Sequence, residues 1–291
     1  MASDGVSAGP LGPRYGSRAR NRTIVFLLVL ACISATLSRF VTLEKPFATA
    51  ALRGRLIVAV PPRPAPVLTV GHVDRTLRSP DPFAAALAED LGRRLGLPVD
   101  LLLSEPGAAA TAVATGKADV AIGGLSFQPS SKLSFSPVSY ATGRGQALVL
   151  RHGNVHDWAA LRGGSICTST GNAYGPRAAR LHGARLITYD RPLDALLAFQ
   201  AGECTALVDD ELVIKSLLKQ PDWSYYSVLP GDIAPTPSFI ATAGGDTASM
   251  RFVDSTIRAW RQSRWLTTAR ESVAKQLAFD MFIAENDLYC H

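Results

Sequence analysis

The sequence predicts an α/β protein of two lobes, each a mostly parallel sheet flanked by helices. Apolar strand-like runs alternate with helix-like segments between residues 55 and 122, and the same alternation begins again between residues 165 and 210. This alternation is typical of parallel strands with helices on both faces of the sheet. The chain has 291 residues, of which 47% are hydrophobic and 19% charged, so it is long enough to bury two such cores.

In the first unit, the β-branched run Arg55–Val60 predicts a buried strand, which Pro61 and Pro62 end. Apolar side chains at every fourth position of 82–96 predict a helix, with Asp81 as N-cap, a proline at the first helical position and Gly96 as the stop. The remaining elements predicted for this unit are a strand over 98–103, a helix over about 107–115 and a strand over 118–122.

The second unit repeats this logic. Its predicted elements are strands over 165–168, 186–189 and 205–208 and a helix over 192–200. The segments 146–150 and 238–241 are extended and apolar, and we expect the chain to cross between the lobes there. Residues 247–284 predict an amphipathic helical region that packs back on lobe 1. The predicted division is therefore 54–150 with 238–284 for lobe 1 and 151–237 for lobe 2.

The first 53 residues predict a targeting and anchoring region. Residues 1–22 form a basic leader without apolar periodicity, predicted to be disordered, and 23–38 form an apolar segment. Val29-Leu-Ala-Cys32 is similar to a bacterial lipobox, so Cys32 is a candidate lipidation site. An uncleaved signal anchor and a cleaved secreted form are the alternatives, and both stay open. Residues 39–53 are predicted to be a tether, and the folded part is expected outside the cytoplasmic membrane, on its extracytoplasmic face.

The net charge of +6 owes much to the arginines of the leader, and beyond it the charges are mixed. Nucleic-acid binding requires a basic stripe with interleaved aromatic residues, and the sequence contains neither that stripe nor a nucleic-acid-binding motif. The histidines are scattered and no Cys-x-x-Cys pair occurs, so we expect no metal site. We expect no cofactor either.

Four stretches resemble the family 3 (polar amino-acid type) solute-binding proteins of bacterial ABC importers. They are the helix Phe83–Gly96, the segment Gly116–Pro129 with Phe135–Tyr140 and Gly145–Val149 after it, the strand and turn Leu161–Gly171, and the segment Ala201–Asp210. The resemblance implies a type II periplasmic-binding-protein fold that closes on a small solute. It also implies an extracytoplasmic receptor subunit, monomeric and not an enzyme, that works with ABC permease subunits.

The same resemblance implies which residues bind the solute. Ser126 matches a family hydroxyl, and Gln128 follows it in the same loop. Thr170, Gly171 and Asn172 precede a helix, where backbone N–H groups suit a carboxylate. Asp210 matches the aspartate that pairs with an α-ammonium in the family. Each of these residues also has a plain structural reading, as a helix cap or a solvated loop side chain.

One position departs from the family pattern. Where the family carries an arginine that clamps the solute carboxylate, this chain has Ser131. Lys132, Arg144 and Arg63 are candidate substitutes on other positions. The departure predicts that the solute, or the way in which it is held, differs from that of a standard α-amino acid.

The resemblance places Cys167 and Cys204 close together, so a disulfide between them is feasible, whereas Cys290 is expected to be free. Two functional alternatives stay open beside the transport receptor. One is a membrane-tethered sensory or accessory binding protein, and the other is an enzyme that reuses the cleft in a dehydratase-like manner.

Overall fold

A computed structural model of the chain describes residues 45–64 and 77–289, with side chains described as far as residue 280. The leader, the apolar segment with Cys32, the start of the tether and Cys290 lie outside the described residues. Among the described helices, none is both long and apolar enough to cross a membrane.

Lobe 1 is built on a five-stranded sheet of order β4-β1-β5-β12-β6. Its strands are β1 (Leu56–Val60), β4 (Val99–Leu103), β5 (Val120–Ala121), β6 (Leu133–Phe135) and β12 (Ala241–Ala243). The first three are parallel to one another, and β12 runs antiparallel to both β5 and β6. A separate two-stranded ribbon pairs β2 (Pro62–Pro64) with β3 (Arg78–Pro80).

Lobe 2 is built on a second five-stranded sheet, of order β11-β7-β10-β8-β9. Its strands are β7 (Gly145–Leu150), β8 (Ser165–Ser169), β9 (Arg185–Tyr189), β10 (Ala206–Asp210) and β11 (Tyr226–Val228). Strands β9, β8 and β10 are parallel, while β7 is antiparallel to β10 and β11. The predicted α/β class with two lobes is confirmed.

The helices cover both sheets. They are α1 (Ala48–Arg53), α2 (Pro82–Leu95), α3 (Pro106–Ala114), α4 (Gly175–His182), α5 (Pro192–Gln200), α6 (Glu211–Leu217), α7 (Thr247–Gln262) and α8 (Trp265–Tyr289). Short 3-10 helices occur at Ala159–Leu161 and Pro221–Trp223. Helix α2 begins and ends as predicted, because the Asp81 carboxylate accepts from the Ala84 N–H and Gly96 adopts a left-handed conformation with φ 68°.

Strand β1 shows why the lobe 1 sheet must be covered on both faces. Val58 and Val60 belong to one apolar cluster and Ala59 to another on the opposite face, and all three are fully buried. Side chains alternate between the two faces of a strand, so a run of apolar residues requires helices on each side.

Strand β7 belongs to lobe 2, which corrects the boundary that we expected at residue 150. Leu148 packs in one lobe 2 cluster, and Ala147 and Val149 pack in another on the other face of the strand. Pairing with β10 on one side and β11 on the other leaves β7 no free edge. The chain therefore crosses between lobes before Gly145, not within 146–150.

The two crossing segments are hydrogen-bonded to each other. The Tyr140 N–H donates to the Ser238 carbonyl at 3.0 Å, and the N–H and carbonyl of Gly145 each bond to Ile233 at 2.8 Å. Phe239 and Ile240 already pair with Leu125 and Ser136 of lobe 1, so the second crossing comes before the predicted segment 238–241, opposite the first.

Residues 45–53, which we expected to belong to the tether, are part of lobe 1. Phe47 and Ala50 are buried in its core, and the Phe47 ring packs edge-on against Phe252 at a centroid distance of 6.1 Å. Burying these apolar side chains in the core is more favourable than leaving them exposed to water in a tether.

The C-terminal helices also depart from the prediction, because only α7 packs wholly on lobe 1. Val253, Ile257 and Trp260 of α7 are fully buried there. Helix α8 begins in the same core, with Leu266, and then places Ala274 and Leu277 in the core of lobe 2. Helix α8 therefore joins the two lobes alongside the crossing segments.

Candidate functional site

The candidate site lies where the carboxyl ends of the parallel strands of both lobes meet. In lobe 1, β1 ends before Arg63; in lobe 2, β8 ends before Gly171 and β10 ends at Asp210. Open α/β sheets bind ligands beyond the carboxyl ends of their strands. The loops that follow these strands are thus placed to form a cleft between the lobes.

Arg63 brings lobe 1 against lobe 2 in this cleft. A Cβ at position 171 would collide with the Arg63 guanidinium, so the cation lies directly on the Gly171 backbone, which has φ +76°. The Arg63 side chain is 15% exposed and forms an ion pair with Asp81 at 3.2 Å. Its Nη1 also donates to the Pro62 carbonyl at 3.1 Å. A positive charge is therefore held in the cleft by its own lobe.

The turn at residues 170–172 faces this cation. The Thr170 N–H donates to the Tyr189 carbonyl at 2.8 Å, and the Asn172 N–H donates to the Ser169 carbonyl at 3.1 Å. For the Gly171 N–H between them, no acceptor is found among the residues that the structure describes. A guanidinium and a backbone donor at the same point suit a bound anion such as a carboxylate.

Asp210 is saturated by groups of the chain itself. Its two carboxylate oxygens accept from Arg270 Nη2 at 2.7 Å and Arg270 Nε at 2.8 Å. The Leu212 N–H donates to the same carboxylate at 2.9 Å, and the Tyr174 hydroxyl lies 3.0 Å from it. Asp210 is thus the N-cap of α6 and half of a buried ion pair, so the α-ammonium partner predicted from the resemblance is already occupied by Arg270.

Tyr174 lies next to this ion pair. Its hydroxyl lies 3.1 Å from the Thr142 carbonyl, at the crossing segment, as well as near Asp210. Burial, together with the charge of Asp210, raises the pKa of Tyr174 above its usual range. The hydroxyl therefore stays protonated and donates to one of these two acceptors.

Asn172 and Asp209 form a second buried pair beside the cleft. The Asn172 Nδ2 donates to the Asp209 carboxylate at 3.0 Å, and the Asp210 N–H donates to it at 2.7 Å. The Asn172 Oδ1 accepts from the N–H groups of Tyr174 and Gly175, which caps α4. Burial raises the pKa of Asp209 to about 7, and the neighbouring charge of Asp210 acts in the same direction.

The predicted residues of lobe 1 are not gathered in the same way. Ser126, Gln128 and Ser131 are exposed in the loop between β5 and β6. Ser131 lies beside Gly244, where a Cβ would collide with the Ser131 carbonyl. Because β12 is antiparallel to β5, Gly244 and Ser131 lie at the amino end of β5, on the side of the sheet away from the cleft. The structure therefore brings Thr170, Gly171, Asn172 and Asp210 together but leaves Ser131 apart from them.

Three residues of the site were not predicted from the sequence as members of it. Arg270 lies sixty residues beyond Asp210 on a helix that we expected to cover lobe 1. Tyr174 and Asp209 stand next to predicted residues and carried no pattern of their own. The Asp209-Asp210 pair at a strand end was the available signal for Asp209, since the charge of one carboxylate raises the pKa of its neighbour.

The structure joins Cys167 of β8 and Cys204 by a disulfide, with their Cα atoms 5.6 Å apart. Within the described ranges, no group of three or more His, Cys, Asp or Glu side chains is arranged to hold a metal ion.

Comparison with family models and with curated proteins finds no match for this chain. Comparison of structures does find similar folds. A substrate-binding protein of an amino acid ABC transporter from Streptococcus pneumoniae, bound to L-arginine, is 20% identical with a TM-score of 0.56, covering 81% of this chain and 98% of that one.

Two further structures are similar at the same level of identity. A mutant of ArgBP from T. maritima is 20% identical with a TM-score of 0.53, covering 77% of this chain and 96% of its own. The ancestral amino acid-binding protein AncCDT-1, a precursor of cyclohexadienyl dehydratase, is 20% identical with a TM-score of 0.54, covering 77% and 97%. The strand orders, the paired crossing segments and these similarities together establish that the chain has the two-lobed fold of periplasmic solute-binding proteins.

Proposed function

We propose that this protein is an extracytoplasmic receptor for a small polar solute and that it delivers the solute to the permease of an ABC importer. One observation carries the proposal: Arg63 of lobe 1 lies against the Gly171 backbone of lobe 2, at the carboxyl ends of the strands of both sheets. A solute bound there would contact both lobes and would stabilise their closure.

Two features support a location outside the cytoplasm. The Cys167–Cys204 disulfide fits an oxidising compartment, because cytosolic thiols are kept reduced. The arginine-rich leader followed by an apolar segment in the sequence fits an export or anchoring signal. Anchoring through Cys32 or through the apolar segment itself is part of the proposal, and mass spectrometry of the membrane-extracted protein distinguishes a lipidated Cys32 from an intact leader.

The proposal is tested by measuring solute binding and solute recovery on the full-length protein in detergent. A thermal-shift screen of amino acids, amines and small acids is expected to give a rise in Tm with at least one compound. The compound is then recovered and analysed by mass spectrometry, and it is expected to be unchanged. A screen without any response, or recovery of a transformed compound, would contradict the receptor function.

A permease and an ATPase encoded beside this gene would favour transport over a sensory or accessory role. For the sensory alternative, a membrane partner other than a permease would be captured by cross-linking the protein in its native membrane. The solute-binding measurement alone is the same for both roles.

A second candidate function, acid–base chemistry on the bound solute, is favoured by Asp209. Its pKa of about 7 suits a group that exchanges protons near neutral pH, and it lies next to the turn that faces Arg63. This candidate requires turnover that Asp209→Asn abolishes while solute binding is kept. Binding without turnover at any pH from about 5 to 9 would exclude it.

A further inference from the structure

Given the proposed function, the geometry points to the class of solute: we propose that the cleft binds a small carboxylate that carries no ammonium group. Arg63 and the Gly171 N–H would hold the carboxylate, and the place that an ammonium would need is filled by Arg270. The inference rests on the proposed receptor function and on the charges that line the cleft.

The first step concerns Asp210, which is the carboxylate best placed for an ammonium. Arg270 binds it with two parallel hydrogen bonds, and the side chains of the pair are only 10% and 17% exposed. The Leu212 N–H donates to one of these oxygens as well, and the Tyr174 hydroxyl lies 3.0 Å from the other, so both have close polar partners within the chain. An ammonium would have to displace a bidentate, largely buried guanidinium to reach Asp210.

The second step concerns the other carboxylates beyond the strand ends, most of which have partners within the chain. Asp81 caps α2 and binds Arg63, and the buried Asp209 carboxylate accepts a hydrogen bond from Asn172. Glu211 and Asp232 both bind Arg144. Glu105, which follows the edge strand β4, makes no cap hydrogen bond and is exposed. The carboxylates around Arg63 and Asp210 are all paired within the described part of the chain, and an uncompensated ammonium is disfavoured in a closed cleft.

The third step concerns Arg63 and Gly171, where two hydrogen-bond donors have no acceptor among the described residues. Arg63 has one carboxylate partner among the described residues, Asp81, at 3.2 Å through Nε. The Nη2 end of its guanidinium lies against Gly171, whose N–H has no acceptor among the described residues. A carboxylate could accept from Arg63 Nη2 and from the Gly171 N–H while Asp81 stays bound through Nε, so it would use donors that have no acceptor among the described residues.

The test compares pairs of compounds that share a carbon skeleton and differ only in the α-amino group. Suitable pairs are propionate with alanine, 4-methylpentanoate with leucine, 3-phenylpropionate with phenylalanine and glutarate with glutamate. Isothermal titration of the full-length protein is expected to give at least tenfold tighter binding for the amino-free member of the best pair, about 1.4 kcal/mol. Tighter binding of the amino acids overturns the inference and leaves the receptor function intact.

Substitutions test which charged residues bind the solute. Arg63→Gln is expected to weaken carboxylate binding at least tenfold. Arg55→Gln is the matched control, because Arg55 lies at the other end of β1 in an exposed ion pair with Asp100 and should leave binding unchanged. An equal loss in both variants would mean that general charge, not Arg63, attracts the solute.

Arg270→Met exposes the Asp210 carboxylate and is expected to shift the preference toward the amino acid of each pair. Because this variant leaves a buried charge and is expected to be destabilised, Arg270→Lys is measured as well. A lysine cannot make the bidentate contact and is expected to shift the preference in the same direction, by less. An unchanged preference in a folded variant of either kind overturns the assignment of Arg270.

Binding of neutral solutes alone would overturn the inference while the receptor function stands, and absence of all binding would overturn both.

Discussion

The two lobes repeat one strand plan. Lobe 1 has the parallel strands β4-β1-β5 followed by antiparallel β12, and lobe 2 has the parallel strands β9-β8-β10 followed by antiparallel β7. In each lobe the antiparallel strand follows a crossing segment and pairs next to the third parallel strand. The common plan explains why the carboxyl ends of both sheets meet at one cleft.

What differs is how each lobe is stabilised and which charge it brings to the cleft. Both lobes have apolar cores, around Trp260 in lobe 1 and around Trp223 in lobe 2, and lobe 2 carries a disulfide as well. Lobe 1 brings the cation Arg63 to the cleft, whereas lobe 2 brings Asp209 and Asp210. Since the two sheets have the same strand plan, the chemistry of the site depends on the loops after the strands and on α8, not on the sheets.

The largest expected effect is the loss of the lobe 2 disulfide. The double variant Cys167→Ala with Cys204→Ala is expected to lower the free energy of unfolding of lobe 2 by about 3 kcal/mol, because the closed loop of the unfolded chain is released. Hydrogen exchange resolved by peptides measures this: protection should fall in β8, α5 and β10 and change little in α2 and β1.

A reducing agent serves as the control for this variant. It should reproduce the loss in the native protein and have no further effect on the double variant. An equal loss of protection in both lobes would show that they unfold as one unit, and the comparison between them would then lose its energetic basis.

A smaller effect is expected from the polar contact within the core of lobe 1. The Trp260 indole N–H donates to Asp90, which is only 2% exposed and also binds Arg93 and Arg94. Trp260→Phe is expected to cost about 2 kcal/mol, since a buried carboxylate loses a donor and a small cavity opens. Urea denaturation with peptide-resolved exchange should place the loss in lobe 1.

Trp265→Phe is the matched control, because the Trp265 ring stacks on Trp260 at a centroid distance of 5.3 Å but is only partly buried. We expect roughly half the cost or less for this variant. Equal costs for the two variants would mean that ring volume, not the bond to Asp90, stabilises the lobe.

Local signals explain why most of the fold was predictable. Helix α5 has the predicted bounds, Pro192–Gln200, and α2 has the predicted cap and stop, because proline, aspartate and glycine act within a few residues of their position. Strand β7 was placed in the wrong lobe because an apolar strand has the same pattern whichever sheet it joins. Only its pairing with β10 and β11 decides its place.

The site was less predictable for the same reason. The turn at Thr170–Asn172 and Asp210 stand at strand ends, where sequence patterns mark them. The partner of Asp210, Arg270, is sixty residues away on a helix whose contact with lobe 2 no periodicity reveals. A carboxylate that the sequence offers to a ligand can thus be taken by the protein itself, and only the tertiary structure shows it.

The pH dependence of stability separates Asp209, beside the cleft, from the surface of lobe 2. The pKa of Asp209 is raised from its ordinary 3.8 to about 7, so the folded protein holds a proton that the unfolded chain has released. Its contribution to stability is therefore full below about pH 4 and is lost as the pH rises through 7, with a slope of at most about 1.4 kcal/mol per pH unit.

Asp209→Asn is expected to remove this slope, measured by urea denaturation between pH 4 and 8. Asp190→Asn is the matched control, because Asp190 is 65% exposed in its pair with Arg78, and its slope should equal that of the native protein. A slope that survives in Asp209→Asn would assign the titration to another group.

The smallest expected effect concerns Gly171, where the two lobes meet. Gly171→Ala and Gly183→Ala both place a side chain on a left-handed backbone, with φ +76° and +65°, so each is expected to cost about 1 kcal/mol of stability. Only at position 171 would the new Cβ also collide with the Arg63 guanidinium; at 183 the nearest atom, Arg162 Cγ, is 3.7 Å away. Gly171→Ala should therefore weaken solute binding by at least tenfold while Gly183→Ala leaves it unchanged, as titration calorimetry will measure. If both variants bind the solute equally well, Arg63 and Gly171 are not where the lobes close on it, and the cleft would have to be sought among the exposed residues Ser126 and Gln128.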